Sequence, residues 1–184
     1  MIMSAANASF PTVEELQKLS HRAIVAYAVC AARMVQPFFG CGRYEPSLKH
    51  IATIDSAIRI AERFAEDGID STRVIRKVAN MARTAYNTAA AAGAGAGGSV
   101  GGGDYTAARS ADAAYTAIRT CDFVARRSID TYIAARGADC AYAANAAATV
   151  AASDNPAYTD AAAQIKQSLR WIYGLLILYL YCWN

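Results

Sequence analysis

Proline is scarce in this chain: four residues in 184, three of them (Pro11, Pro37 and Pro46) before residue 50. Because proline is the strongest breaker of helix interiors, the chain beyond residue 50 is open to long helices. Charge is also thin, at 18% of residues with a net of +3. Nucleic-acid binders gather Lys and Arg on one face or stripe. Here the arginines alternate with acids, as in Arg59, Glu62, Arg63 and Glu66, or Arg119, Asp122 and Arg126, which is the pattern of a solvated helix face with i,i+3 and i,i+4 pairs. No nucleic-acid partner is expected.

Five cysteines (Cys30, Cys41, Cys121, Cys140 and Cys182) form an odd set without a C-x-x-C pair, which argues against a disulfide framework or a structural zinc site. Reduced, mostly buried thiols in a cytoplasmic protein are the expectation, and no basic segment followed by an apolar run marks a signal peptide. The only histidines, His21 and His50, have no partner three or four residues away that could complete a metal site. Glu62 and Glu66 lie one helical turn apart, yet Arg59 and Arg63 interleave them. No catalytic residue, cofactor or metal is expected from these patterns. There is no βαβ pattern and no G-x-x-x-x-G-K-[ST] loop.

What the chain does have is alanine, which supplies much of its 55% hydrophobic content. Alanine contributes helix propensity more than buried area. An all-α fold follows: a single-domain bundle of five to six helices over 11–184 with an alanine-rich, close-packed core, preceded by a flexible leader at 1–10. Such a bundle needs extensive contact and could gain from forming a homo-oligomer.

The capping box of Thr12 and Glu15 predicts a first helix running through Val13, Leu16, Ser20, Ala23, Tyr27, Cys30 and Met34 until Pro37 ends it. Ser47 predicts the start of a second helix with Ile51, Ile54, Ile58, Ala61 and Ala65 inward, widened by Ala57, Ile60 and Phe64; Gly68 ends it. Asp70 or Ser71 caps a third, with Val74, Val78, Ala82, Ala85 and Ala89 on one side and Arg73, Arg76, Lys77, Asn80 and Arg83 on the other. Asp104 caps a fourth, apolar at Ala107, Ala111, Ala114, Ile118, Cys121, Ala125 and Ile129, polar at Arg109, Asp112, Thr116, Arg119, Arg126 and Asp130. Gly137 is expected to break or kink it. A fifth covers about 139–152, and Asn155-Pro156 opens a last helix over 156–183.

Between the third and fourth helices, residues 93–103 form a glycine-rich run. Its Gly93-x-Gly95-x-x-Gly98 matches the dinucleotide fingerprint, but that fingerprint works after a strand, where the following helix aims its N-terminus at pyrophosphate. Here the preceding segment is helical, so the run reads as a flexible connector.

Residues 171–183 are apolar or aromatic on every side. Thirteen residues at 1.5 Å each reach only about 20 Å, short of the ~30 Å hydrocarbon core of a membrane, and Arg170 and Lys166 stand upstream. Three readings stay open for this helix: core of the domain, a self-association surface, or lipid contact. The aromatic residues Trp171, Tyr173, Tyr179, Tyr181 and Trp183 suit an interface. Arg109, Asp112, Arg119 and Arg126 are candidate partner-contact charges.

Residues 30–39 (Cys-Ala-Ala-Arg-Met-Val-Gln-Pro-Phe-Phe) are similar to the segment that closes the first helix in immunity proteins of the Imm-5-like group. Residues 57–61 (Ala-Ile-Arg-Ile-Ala) resemble that group's second helix, and 78–92 with 107–127 resemble its paired alanine-rich helices. The resemblance covers about residues 20–135 and leaves out the aromatic tail. Where the group often carries histidine within its alanine runs, this chain has Arg83-Thr84-Ala85-Tyr86 and Arg119-Thr120-Cys121-Asp122. The resemblance implies a cytoplasmic bacterial protein that neutralises a toxin by binding it, without chemistry of its own. The other readings are a self-assembling or lipid-contacting protein that uses the aromatic helix, and a small-ligand-binding bundle, which a pocket near His50, Tyr86 or Asp122 would favour.

Overall fold

Thr12 caps the first helix as its sequence predicts. Its hydroxyl accepts the Glu15 N–H at 3.2 Å, and the Glu15 carboxylate accepts the Thr12 N–H at 2.9 Å. The structure is a computed structural model and describes residues 9–40, 45–68, 71–95 and 103–182. This first helix, α1, is short (Val13–Leu16). It does not run on to Pro37 as expected, because Ser20 adopts an extended backbone and caps a new helix, α2 (His21–Val35), through the Ala23 N–H. The apolar spacing continues across the break, which is why the two segments read as one. A 3-10 turn, Gln36–Gly40, follows at Pro37.

α3 (Leu48–Asp67) begins on Ser47, whose hydroxyl accepts the His50 N–H. It ends on Gly68 in the left-handed conformation at φ 69. Both ends match the sequence reading. Ile54, Ala57, Ile58, Ile60, Ala61 and Phe64 are buried, Ala65 is partly so, and Ile51 faces solvent. α4 (Thr72–Gly95) buries Ile75, Ala79, Ala82, Ala85 and Ala89. Its inward face is therefore rotated from the expected one: Val74 is exposed and Val78 only half-buried, while Arg73, Arg76, Lys77, Asn80 and Arg83 face solvent as read.

Helix α4 runs through Gly93 to Gly95, and α5 (Gly103–Ala125) begins at the last glycine of the run. The connector is thus shorter than 93–103, and its residues 96–102 lie outside those described. Asp104 falls inside the first turn of α5 instead of before it. α4 and α5 pack along much of their length, as do α5 and the next helix. Eight peptide units between Gly95 and Gly103 span at most about 29 Å, less than the roughly 36 Å length of α4, so the pair runs antiparallel.

The largest revision concerns the next boundary. Gly137 does not break a helix. α5 instead ends at Ala125, and α6 (Asp130–Asp154) continues through Gly137 without interruption. The break is built by Arg127 at φ 55, with Ser128 N–H bonded to the Phe123 carbonyl (3.0 Å) and Arg127 N–H to that of Val124 (2.9 Å). This is a Schellman stop with arginine where glycine is usual. Asp130 and Ile129 accordingly leave the fourth helix, and Ile129 is exposed. Gly137 has a different task. A Cβ there would lie 2.9 Å from Ile24 Cγ2 and 3.6 Å from Leu16 Cδ1, so glycine lets α6 sit close against α1 and α2.

Asn155 caps a 3-10 turn, Pro156–Tyr158, by accepting the Ala157 N–H. The last helix, α7, therefore starts later than predicted, at Ala161, and runs to Cys182. Every regular element among the described residues is helical. The seven helices exceed the five to six expected through the split at Ser20.

Helix α2 contacts α3, α5, α6 and α7, and α5 contacts α2, α3, α4 and α6. By length and composition, residues 21–40 could cross a membrane; here Ile24, Val25, Tyr27, Ala28, Ala31, Ala32 and Val35 of that stretch are buried against these neighbours. Helix α5 is buried on nearly every side: Thr106, Ser110, Thr116, Thr120 and Asp122 are as enclosed as Ala107, Ala111, Ala114 and Ile118. The Ser110 hydroxyl donates to the Val35 carbonyl at 2.6 Å, and the Cys140 thiol lies 3.1 Å from the carbonyls of both Ala28 and Ala113. Three helices meet at that thiol, which burial raises well above its ordinary pKa. Cys121 is likewise buried and Cys30 half-buried.

Candidate functional site

Helix α7 sorts its residues onto two faces that its all-apolar sequence did not separate. Ile165, Leu169 and Tyr173 point inward, with Ile172, Leu176 and Ile177 packed beside them. Trp171, Leu175, Leu178 and Tyr179, spaced at i, i+4, i+7 and i+8, point outward. Trp171 is 68% exposed, Leu178 60% and Tyr179 61%. No charged residue occurs from 171 to the end of α7. Of the predicted interface aromatics, Trp171 and Tyr179 therefore share one solvent-facing stripe. Tyr173 does not: it is 8% exposed, and its hydroxyl donates to the Glu15 carbonyl at 3.2 Å. The Tyr181 side chain and Trp183 lie outside the described residues.

The inward face is pinned to α1. Arg170 donates to the Glu15 carboxylate at 2.8 Å and stacks over the Tyr173 ring at 5.4 Å. The carboxyl of Glu15 is held below its ordinary range chiefly by Arg170. Farther up α7, Lys166 stands 5.8 Å over the Phe10 ring, which packs edge-on against Tyr142 of α6. These contacts fix which side of α7 faces the bundle, and so which side is left to solvent.

The four candidate charges split into two pairs. Arg119 and Arg126 both turn onto Asp122, a carboxylate only 1% exposed. Arg126 grips it in bidentate fashion at 2.9 and 2.7 Å, and Arg119 reaches it at 3.0 Å. Arg119 also lies over the Phe123 ring at 5.0 Å. This clamp, on one helix, holds a buried charge that sequence spacing read as solvated. It commits both guanidiniums to the fold.

Arg109 and Asp112 behave differently. They line a cleft of about 360 Å³ between α5 and α6, together with Thr116, Arg136, Asp139 and Tyr142. Arg136 and Asp139 pair at 3.0 Å, but Arg109 and Asp112 stand 3.7 Å apart, beyond hydrogen-bond reach. Burial raises the Asp112 carboxyl above its ordinary value, Arg109 opposes that rise, and Asp139 adds to it. None of His50, Tyr86 and Asp122, the residues whose neighbourhood would have favoured a ligand-binding bundle, lines this cleft. Nothing in the sequence marks it, because it depends on how α6 packs against α5.

A third polar cluster joins α2 to α3. Arg33 is bidentate to Glu62 at 2.6 and 2.7 Å, and it also reaches Asp55 at 3.0 Å and Gln36 at 2.6 Å. Arg59 completes the set on Asp55 at 2.8 Å. Here the interleaved acids and bases of the second predicted helix serve an interhelical tie instead of pairing only along one face. His21 meets Asp130 at 2.8 Å on the exposed side. Among the described residues, no three His, Cys, Asp or Glu side chains gather where they could share a metal ion.

Compared with protein-family models, curated proteins and solved structures, the chain matches none.

Proposed function

We propose that this protein acts by binding a protein partner, without chemistry of its own, and that the outward stripe of α7 is the contact. The observation that carries this reading is the stripe itself: Trp171, Leu175, Leu178 and Tyr179 exposed on one helical face with no charge among them. Large aromatic and aliphatic side chains aligned in this way lose free energy in water and gain it on burial, about 25 cal/mol per Å². Trp and Tyr are also the residues that most often dominate binding energy.

An alanine-rich, close-packed core belongs to the same reading. Small side chains bring helix axes toward the near end of the 8–10 Å range, leaving little room inside for residues the size of Trp171. The resemblance of residues 20–135 to Imm-5-like immunity proteins supports a cytoplasmic role in which the partner is a toxin neutralised by binding. Co-expression with a toxin-like neighbouring reading frame tests that part: growth is restored if it is right, and restoration fails if it is wrong.

A second copy of the chain is the other occupant this stripe favours, because a charge-free apolar face is self-complementary across a two-fold axis. Light scattering separates the two: a dimer lost on Trp171→Glu supports self-assembly, and a monomer supports a different partner.

A further inference from the structure

The cleft between α5 and α6 holds three polar groups whose bonding capacity is unspent. Asp112 has a side chain only 24% exposed, yet its nearest cation stands 3.7 Å away and no hydrogen bond reaches its carboxylate from any described residue. Arg109, half-exposed at the other side of that gap, has the same 3.7 Å contact and no hydrogen bond of its own. Thr116 is 6% exposed and lines the cleft. Thr53, Thr84, Thr88, Thr120 and Thr149 all turn their hydroxyls back to the carbonyl four residues earlier, whereas the Thr116 hydroxyl has no hydrogen-bond partner among the described residues. Asp112 and Arg109 are 24% and 47% exposed, so water meets them when the cleft is empty and a bound molecule that reproduces those bonds can displace it.

The signs of the lining charges narrow what could satisfy them. Arg109 and Arg136 are positive, Asp112 and Asp139 negative. An anion entering the cleft would meet the two carboxylates, and a simple cation would meet the two guanidiniums. A molecule carrying both an ammonium and a carboxylate on one carbon meets each sign with its opposite. At about 360 Å³ the cleft is at the small end of ligand sites, and Tyr142 offers a ring at its rim. We infer that this cleft binds a free α-amino acid: its ammonium on Asp112 and the Thr116 hydroxyl, its carboxylate on Arg109. The site is separate from the α7 stripe and does not rest on it.

The test is thermal unfolding of the full chain with each of the twenty common L-amino acids in turn, at about ten times a millimolar Kd. Binding at that level raises Tm by about 3 °C. The best of them is then compared with its N-acetyl derivative, which lacks the ammonium, and with the amine that lacks the carboxylate. The inference predicts a rise for the parent amino acid and none for either single-charge analogue. It also predicts that Asp112→Asn and Arg109→Gln each abolish the rise while keeping the helical circular dichroism of the wild type. Without ligand, Asp112→Asn melts no lower than wild type, since it neutralises a carboxylate that has no hydrogen bond to lose. No rise with any amino acid overturns the inference. An equal rise with a single-charge analogue, or a rise that survives in Arg109→Gln, does so as well. Trp171→Glu leaves the rise intact, so the amino-acid site and the α7 contact fail or stand separately.

Discussion

Arg170 on the last helix donates to the carboxylate of Glu15 on the first, at 2.8 Å, while Glu15 also closes the capping box on Thr12. One carboxylate thus holds the start of α1 and the orientation of α7 together. It is the fixed point from which the exposed side of α7 follows.

The Glu15 carboxyl is held below its ordinary value by Arg170, against the effect of burial, with the Thr12 N–H adding to the lowering. A group depressed in the folded state gives its stabilisation above its unfolded value, near 4.3 for Glu, and loses it as pH falls through the folded value. Glu15→Gln is therefore expected to cost about 1 kcal/mol at neutral pH, a cap-sized effect discounted for a partly exposed pair. Between about pH 5 and pH 3 its Tm should fall less steeply than that of the wild type. Parallel melts across that window check this; identical pH slopes would show that the carboxylate adds nothing.

Arg127 holds a left-handed backbone at φ 55, which costs an L-residue roughly 1–2 kcal/mol. Glycine removes that cost and gives back roughly 0.5–1 kcal/mol in unfolded-state entropy. Arg127→Gly is accordingly expected to stabilise the protein by about 0.5–1 kcal/mol, read as a higher urea midpoint at unchanged slope. A lower midpoint would mean that the arginine side chain contributes more than its backbone costs.

Gly137→Ala adds helix propensity, about 1 kcal/mol in an open helix, but it places a Cβ 2.9 Å from Ile24 Cγ2. Since Ile24 is buried and β-branched, with little rotamer freedom to yield, the clash should outweigh the gain. Gly137→Val is expected to lose about 1–3 kcal/mol. Pairing Gly137→Ala with Ile24→Ala should cost less than the two single changes added together. Strict additivity in chemical denaturation would place the contact elsewhere.

Local signals in the sequence are accurate where the chemistry is local. Ser47 and Gly68 bound α3 through one side-chain hydrogen bond and one backbone conformation, and both residue types announce those roles. Ser20 escapes a reading of the sequence because the apolar spacing continues on either side of it, and only the chain's turn at Leu19 shows that the serine is a cap. The stop after Ala125 carries no signature, since arginine at a left-handed position is rare and Gly137 nearby looks like the breaker. Asp122 shows the limit of charge patterning: arginines three residues before and four after it give the same string whether the carboxylate is solvated or, as here, enclosed. The two faces of α7 are illegible for a related reason. A segment apolar on every side has no period, so the side that turns inward is decided by Glu15 and its neighbours, not by the helix itself.

The α7 contact is tested most directly by affinity purification of the tagged full chain from its native cells, wild type beside the Trp171→Glu/Leu178→Glu double variant, with mass-spectrometric quantification. Both substituted side chains face solvent, so the variant should fold with stability within about 0.5 kcal/mol of wild type. We expect one protein to be recovered with the wild type in near-equal molar amount and to be lost from the variant. Recovery of that protein in equal amount with both, or of no stoichiometric protein with either together with a monomeric mass in light scattering, would contradict the assignment of α7 as the binding surface.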